Sequence, residues 1–350
     1  MSEKSIKEPK NDSKFKSFLR RKNIEISVQR YLIDALGIMA QGLFATLLIG
    51  TILNTIGMKL NITFLTETIW PICKQMTGAG IGVAVAFGLK SPQLVIFASV
   101  ITGTAGNALG GPAGAFCAAL IGAEFGKLVS KETKVDILLT PAVTIIVGCL
   151  VGTAVGPAIG AFMTTAGELI MYATTLKPIL MGVLVSVFMG IILTLPVSSA
   201  ALCMMLSLSG IAGGASTAGC CAQMVGFAAM SFKENGWGGV AAQGLGTSML
   251  QVPNIVRNPK IWLPVCIVSA ITGPMATVLF QMQNSPMGAG MGTSGLVGII
   301  ETITTMGGGM KMWMGILLLY IVIPAVLTPI IGNIMRKIGW IKEGDLKINL

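Results

Sequence analysis

Long apolar runs separated by short polar turns make up most of the chain. The first run is Ile33–Ile56 and the last is Met312–Met335. A spanning helix needs about 20 apolar residues, whereas outer-membrane strands alternate polar and apolar positions. We therefore predict an all-α polytopic membrane protein with about ten transmembrane helices plus two re-entrant segments. The pattern divides the chain into an N-terminal arm (1–30), a transmembrane domain (31–336) and a short tail (337–350).

Two stretches interrupt these apolar runs with clusters of glycine and proline. Residues 103–112 read GTAGNALGGP, and residues 285–309 read SPMGAGMGTSGLVGIIETITTMGGG. Such clusters disfavour a regular helix. Irregular backbone at membrane depth is tolerated only where it is buried in protein or lines a water-filled cavity. We therefore predict re-entrant segments beside a transport pathway.

The second interrupted stretch carries Thr293, Ser294 and Glu301 among apolar residues. An ionisable group in the membrane interior is costly unless it faces protein, water or a ligand, so Glu301 is the leading candidate for a binding residue. Ser294 lies seven residues earlier, which predicts the same helical face. The alternative is a tightly packed helix whose buried glutamate bonds to a neighbour. Asn107 and Glu168 are further candidates, whereas Glu124 is a weaker one because Lys127 is placed to pair with it.

A stripe of amide and hydroxyl side chains follows residues 236–254. Gln243, Thr247, Gln251 and Asn254 recur at nearly helical spacing, which predicts that they share one face. Because amides both donate and accept hydrogen bonds, such a face suits a ligand rich in hydroxyl groups. The alternative is a hydrogen-bond ladder between helices, which contributes about 0.6 kcal/mol per contact in membranes.

Composition supports the membrane assignment and locates the charge. Charged residues make up 11% of the chain, against about 25% in soluble domains. The net charge of +10 comes largely from Lys and Arg before the first run and after the last one. Lys and Arg beside a span mark the cytoplasmic side, so we expect both termini in the cytoplasm and no nucleic-acid partner. Residues 15–30 are expected either on the anionic inner leaflet or as a solvated arm.

The residue types that are missing exclude several kinds of chemistry. The chain has no histidine, and therefore no phosphohistidine and no His-ligated metal. It also lacks the GxxxxGK[ST] phosphate loop of ATPases. All seven cysteines lie in apolar segments without a CxxC pair, which is typical of small buried hydrophobes. We expect no metal and no cofactor, and an energy source in a gradient or in another chain.

Short repeated sequences suggest internal repeats. GPAGAF at 111–116 recurs as GPAIGAF at 156–162, and the order of GVA, a Pro–Lys turn and TG in residues 82–103 is echoed in residues 239–273. Many transporters form a central site between two such repeats. Chance recurrence in helices rich in Gly and Ala is the alternative.

Four motifs carry a resemblance to a known family: GTAGNALGGPAGA (103–115), GGVAAQGLGTSMLQVPNIVRNPKIW (238–262), ITGPMAT (271–277) and NSPMGAGMGTSGLVG (284–298). The chain resembles enzyme IIC, the membrane component of bacterial phosphotransferase-system sugar transporters, in the branch that includes toxin-regulator-like membrane proteins. The resemblance implies a homodimer in the bacterial cytoplasmic membrane, a sugar substrate and soluble IIA and IIB partners. The phosphoryl donor residue would lie on IIB, so this chain would be at most the IIC part of the enzyme.

The sequence departs from that pattern in two respects. It includes no soluble IIA or IIB domain, and it has no histidine to stand beside a glutamate at the sugar. We predict a sugar or related polar solute bound by Asn107, Gln243, Thr247, Gln251, Asn254, Thr293, Ser294 and Glu301, with Glu168 as a second carboxylate. A membrane-bound regulator on the same scaffold, or a non-phosphorylating, gradient-driven carrier, is the alternative.

Overall fold

The computed structural model describes residues 14–348, and these residues form helices joined by short turns. Within this range no β-strand occurs, and one isolated bridge pairs Gly210 with Asn284. The helices are α1 (Lys14–Arg21), α2 (Gln29–Leu60), α3 (64–75), α4 (Thr77–Gly88), α5 (Gln93–Val129), α6 (Asp136–Thr174), α7 (Pro178–Thr194), α8 (Ser199–Met205), α9 (Gly210–Met230), α10 (Phe232–Ala241), α11 (Val252–Arg257), α12 (Pro259–Leu279), α13 (Pro286–Ala289), α14 (Val297–Met306) and α15 (Met310–Lys337).

Five of the described helices are long and apolar enough to cross a membrane, namely α2, α5, α6, α12 and α15. Shorter apolar helices are α4, α7 and the segment Ser294–Met306. The prediction of an all-helical membrane protein is confirmed. The expected number of about ten spans, the two re-entrant segments and the internal repeats stay predictions.

Helix α5 is a hairpin of two helical arms. Gly110 and Gly111 have non-helical dihedral angles, with φ at +59° for Gly111. A Cβ added to Gly106 would come within 2.3 Å of the Gly114 carbonyl oxygen. Residues eight apart lie about 12 Å apart in a straight helix, so this contact requires the chain to reverse. The break that the glycine cluster predicted is therefore confirmed, and it lies at Gly110–Gly111.

Helix α6 joins two parts of the molecule. Gly148 packs against Thr102 and Ala118, one from each arm of the α5 hairpin. Further along α6, Ile170 and Ala173 belong to an apolar cluster with residues of α7, α8 and α9. At about 1.5 Å per residue α6 is about 58 Å long, which exceeds the hydrocarbon core of a bilayer.

Helix α9 is the buried centre of the C-terminal part. Nearly all its residues from Gly213 onward are buried, as expected for a helix surrounded by others. A Cβ on Gly219 would come within 1.9 Å of the Ser186 carbonyl oxygen, and one on Gly214 within 2.0 Å of the Met282 oxygen. These glycines let α7 and the chain after α12 approach the α9 backbone.

Lys127 holds the chain before α2 against the hairpin. Its side chain is 1% exposed, and Nζ lies 2.8 Å from Glu124 Oε1, so the predicted pairing of these two residues is confirmed. Nζ also donates to the carbonyl oxygens of Asn23 (3.1 Å) and Leu89 (3.2 Å).

Outside the spans, a hydrogen bond from Lys22 lowers the pKa of Glu132. The first 13 residues of the arm lie outside the described range.

Candidate functional site

Asn284 fixes the chain between α12 and α13 against α9. Its side chain is fully buried, and Nδ2 lies within hydrogen-bond distance of Thr217 Oγ1 (2.7 Å), the Gly298 carbonyl oxygen (2.9 Å) and Thr302 Oγ1 (3.0 Å). Its Oδ1 accepts a hydrogen bond from the Ser285 backbone N–H at 2.8 Å. One amide thus connects α9, α14 and the start of α13.

The carboxylate of Glu301 lies beside Ser285. Ser285 Oγ donates to Glu301 Oε2 at 2.7 Å and also caps α13 by accepting from the Gly288 N–H at 3.3 Å. A Cβ on Gly288 would come within 2.5 Å of the Glu301 Cβ, so only glycine allows this close approach. Glu301 is half-buried, and its Oε1 makes no hydrogen bond with the described residues. Ser285 therefore orients one carboxylate oxygen, and the other can accept further hydrogen bonds.

The backbone before α14 is irregular. Gly292, Gly295 and Leu296 have φ angles of +53°, +53° and +60°. A leucine with this conformation is sterically strained. Since α14 begins only at Val297, the continuous helix expected to place Ser294 and Glu301 on one face is interrupted.

The two hydroxyl groups in this irregular segment differ in their partners. Thr293 Oγ1 donates to the Gly244 carbonyl oxygen, which links the Glu301 region to the chain that follows α10. Ser294 is 4% exposed, yet its Oγ makes no hydrogen bond with any residue that the structure describes. A buried hydroxyl without a partner costs about 1–3 kcal/mol, and such groups often contact an absent ligand or water.

The predicted amide stripe forms a chain of hydrogen bonds. Gln251 Nε2 donates to Gln243 Oε1 at 2.8 Å, and Asn254 Nδ2 donates to Gln251 Oε1 at 2.8 Å. The helical face expected for these residues is interrupted, because Thr247 has extended dihedral angles and caps the following turn by accepting from the Met249 N–H. The amides therefore meet through a bend in the chain.

The same amides bind the backbone of the C-terminal tail. Gln251 Nε2 donates to the Leu346 carbonyl oxygen at 3.0 Å, and Asn254 Nδ2 donates to that of Lys347 at 2.9 Å. Asn235 Nδ2 also donates to Leu346 at 2.8 Å. These contacts hold the tail in place, and they differ from the ladder between helices that the sequence left open because the partner is not a helix. The prediction of a ligand at these amides stays a prediction.

Asn107 and Glu168 make no hydrogen bond to the side chains of either cluster. Asn107 is half-buried in the first arm of α5, where its Cβ lies opposite Gly78 of α4. Glu168 is exposed on α6 and makes no ion pair with the described residues. The structure gives neither side chain a hydrogen bond to Glu301 or to the amide stripe.

Asn284 and Ser285 are the site residues that sequence reasoning missed. The signal available was the order Asn-Ser-Pro, in which a serine N-cap precedes a proline at the first helical position. That signal predicts where α13 begins, but it does not predict the contact with Glu301.

Among the described residues, no group of three or more Cys, Asp or Glu residues is placed to hold a metal ion.

Most of this chain matches the model of one protein family. The family model described as "Phosphotransferase system, EIIC" matches residues 33–348, which is most of the chain. The chain belongs to the EIIC family of the phosphotransferase system. EIIC chains are the membrane permease components of such systems, and in general they act on a sugar together with soluble IIA and IIB proteins. Comparisons with curated proteins and with solved structures found no match.

Proposed function

We propose that this EIIC chain binds and translocates a sugar or a closely related polar solute at the segment Ser285–Met306. The observation that carries the proposal is the half-buried Glu301 carboxylate, which Ser285 orients through one oxygen while the other makes no bond within the described chain. A carboxylate oxygen accepts hydrogen bonds from solute hydroxyls. An ionisable group in a membrane segment is expected to serve such a role.

Ser294 and Thr293 complete the proposed site. The buried Ser294 hydroxyl has a free donor and acceptor for a solute hydroxyl, which would offset the cost of its burial. Thr293 connects this segment to the chain near Gln243 through Gly244. In this arrangement the amides of Gln243, Gln251 and Asn254 support the wall of the site.

Phosphorylation would use a donor residue on a separate IIB protein. The solute hydroxyl attacks the phosphorus atom, the donor residue leaves, and Glu301 accepts the hydroxyl proton. Positioning of the two reactants supplies most of the acceleration in such transfers. We place both termini in the cytoplasm, from the Lys and Arg residues flanking the first and last spans, and expect the homodimer that the family resemblance implies.

The test is binding of radiolabelled sugars, sugar acids and polyols to purified protein, with and without phosphorylated soluble components. We expect Glu301→Gln to weaken binding about tenfold or more, since a hydrogen bond to a charged group contributes about 1.5–3 kcal/mol. The matched control is Glu67→Gln, because Glu67 is exposed and lies outside the predicted site. Unchanged thermal unfolding of both variants would show that they fold.

Three outcomes distinguish the candidate functions. Saturable binding with a phosphorylated product supports the phosphotransferase permease. Binding without phosphorylation favours an uncoupled carrier or a sensor, and no binding favours the regulator. Wild-type binding by Glu301→Gln would remove Glu301 from the site.

A further inference from the structure

A cavity of about 380 Å³ lies between α2, the C-terminal end of α4, α11 and the C-terminal tail. Three cationic residues line it, Lys90, Arg257 and Lys347, against one carboxylate, Asp34. These four residues come from four separate parts of the chain. The cavity is outside the proposed Glu301 site, since none of the Ser285–Met306 residues lines it.

Lys90 occupies a backbone position that usually carries glycine. Its φ is +54°, and the bonds from Lys90 N–H to the Phe87 oxygen (2.8 Å) and from Ser91 N–H to the Ala86 oxygen (3.1 Å) form a Schellman motif after α4. Glycine or asparagine would adopt this conformation with less steric cost. Lys90 therefore brings a positive charge to the cavity, although the left-handed backbone at this position is unfavourable for a lysine.

Lys347 is held at the cavity by the amide stripe. Asn254, which also lines the cavity, donates to the Lys347 carbonyl oxygen at 2.9 Å. On either side, Leu346 is fully buried, and the Ile348 N–H donates to Asn235 Oδ1 at 2.9 Å. The tail is thus anchored through its backbone, while the Lys347 side chain remains exposed.

The negative charge in the cavity does not balance the three cations. Asp34 Oδ1 lies 4.0 Å from Arg257 Nη2 and accepts a hydrogen bond from Gln29 Nε2 at 2.9 Å. Lys90 Nζ and Lys347 Nζ make no ion pair with the part of the chain that the structure describes. The cavity therefore has an excess of positive charge.

We propose that this cavity binds a phosphate-bearing small molecule, whose phosphate contacts Lys90, Arg257 and Lys347. Arg binds phosphate oxygens through a planar fork, and Lys does so as a point charge. The apolar side chains of Ile38, Leu250 and Ile348 line the same cavity and would contact the carbon part of the ligand. The volume lies within the range of small-molecule sites. The ligand is either a soluble phosphate ester or the headgroup of an anionic lipid.

The experiment measures binding to the full-length purified chain in a neutral detergent. Titration calorimetry would use a hexose phosphate, inorganic phosphate and the unphosphorylated hexose. Nanodiscs of phosphatidylcholine, with or without phosphatidylglycerol, test the lipid source by their effect on thermal unfolding. We expect saturable binding of the hexose phosphate, or stabilisation by phosphatidylglycerol. Each of Lys90→Asn, Arg257→Gln and Lys347→Gln should weaken hexose phosphate binding at least tenfold, or reduce the stabilisation by phosphatidylglycerol.

Three variants keep the result interpretable. Lys90→Asn suits the left-handed backbone, so lost binding in a variant that unfolds no earlier than wild type reports the missing charge. Lys342→Gln removes an exposed tail lysine that does not line the cavity, and it should bind like wild type. Glu301→Gln should also leave this binding unchanged, which separates this proposal from the solute site. If neither the hexose phosphate binds nor phosphatidylglycerol stabilises the protein, or if the observed effect is insensitive to all three residues, the proposal is overturned.

Discussion

At the scale of single residues, one buried side chain determines how the candidate site is held. The two N–H groups of the Asn284 amide lie within reach of three oxygens, and its Oδ1 accepts from the Ser285 N–H. Because Ser285 in turn bonds to Glu301, the orientation of the carboxylate depends on Asn284. The unusual backbone at Leu296 lies in the same segment. In the proposed site, Asn284 would therefore position the carboxylate through Ser285.

We expect Asn284→Ala to lower the free energy of unfolding by about 2–3 kcal/mol, because it leaves buried polar groups without partners. Apparent melting temperature in detergent measures this effect. Solute binding by the folded fraction should also weaken. Thr304→Ala is the control, since Thr304 is exposed and bonds only within its own helix. An Asn284→Ala protein that unfolds at the wild-type temperature would contradict the assignment.

At the scale of secondary-structure elements, small residues decide which helices approach closely. The two arms of α5 meet at Gly106 and Gly114, and α6 lies against both arms at Gly148. Close approach of this kind is how helices associate in membranes, where lipid is as apolar as the side chains. The sequence predicted the break in α5 from its glycine cluster, but it did not predict that the arms pack on each other.

Gly106→Ala and Gly160→Ala form a matched pair for this interpretation. A Cβ at Gly106 meets the Gly114 carbonyl oxygen, whereas a Cβ at Gly160 meets nothing within 4 Å. We expect the first change to destabilise the protein by about 1–3 kcal/mol through overpacking. The second should be neutral, or stabilising by up to about 1 kcal/mol through helix propensity. Equal melting temperatures for the two variants would show that the arms do not pack as described.

At the scale of the whole molecule, the C-terminal tail connects distant parts of the chain. Residues 340–348 follow α15, and they pack Ile341, Leu346 and Ile348 into apolar clusters that include residues of α2 and α11. Their backbone is bound by amides from the chain between α9 and α12. The tail is therefore part of the folded domain, although the hydropathy pattern separates it from the last span.

Leu346→Ala should lower the free energy of unfolding by about 2–4 kcal/mol, as expected for truncating a fully buried leucine. Thermal unfolding in detergent gives the measurement. The neighbouring change Glu343→Gln affects an exposed side chain and should alter stability by less than about 0.5 kcal/mol. A Leu346→Ala protein as stable as wild type would mean that the tail does not dock.

The helical membrane class, the interruption of α5 and the EIIC family could all be predicted from the residues alone. These follow from local constraints. A bilayer requires backbone N–H and C=O groups to form hydrogen bonds within each spanning segment, and clusters of glycine mark where such a helix is interrupted. The pairing of Glu124 with Lys127 was also predictable, since the two residues lie three apart on one helix.

The contacts of the polar side chains could not be predicted, because they depend on the folded arrangement of the whole chain. Spacing arguments assume a continuous helix, and they failed where Thr247 and Leu296 interrupt it. Gln251 and Asn254 each bond to a backbone oxygen of the tail more than 90 residues away, and the cavity beside Lys90 needs Lys347 from the same tail. Contacts of this range depend on how all the helices pack together, which no local pattern of residues encodes.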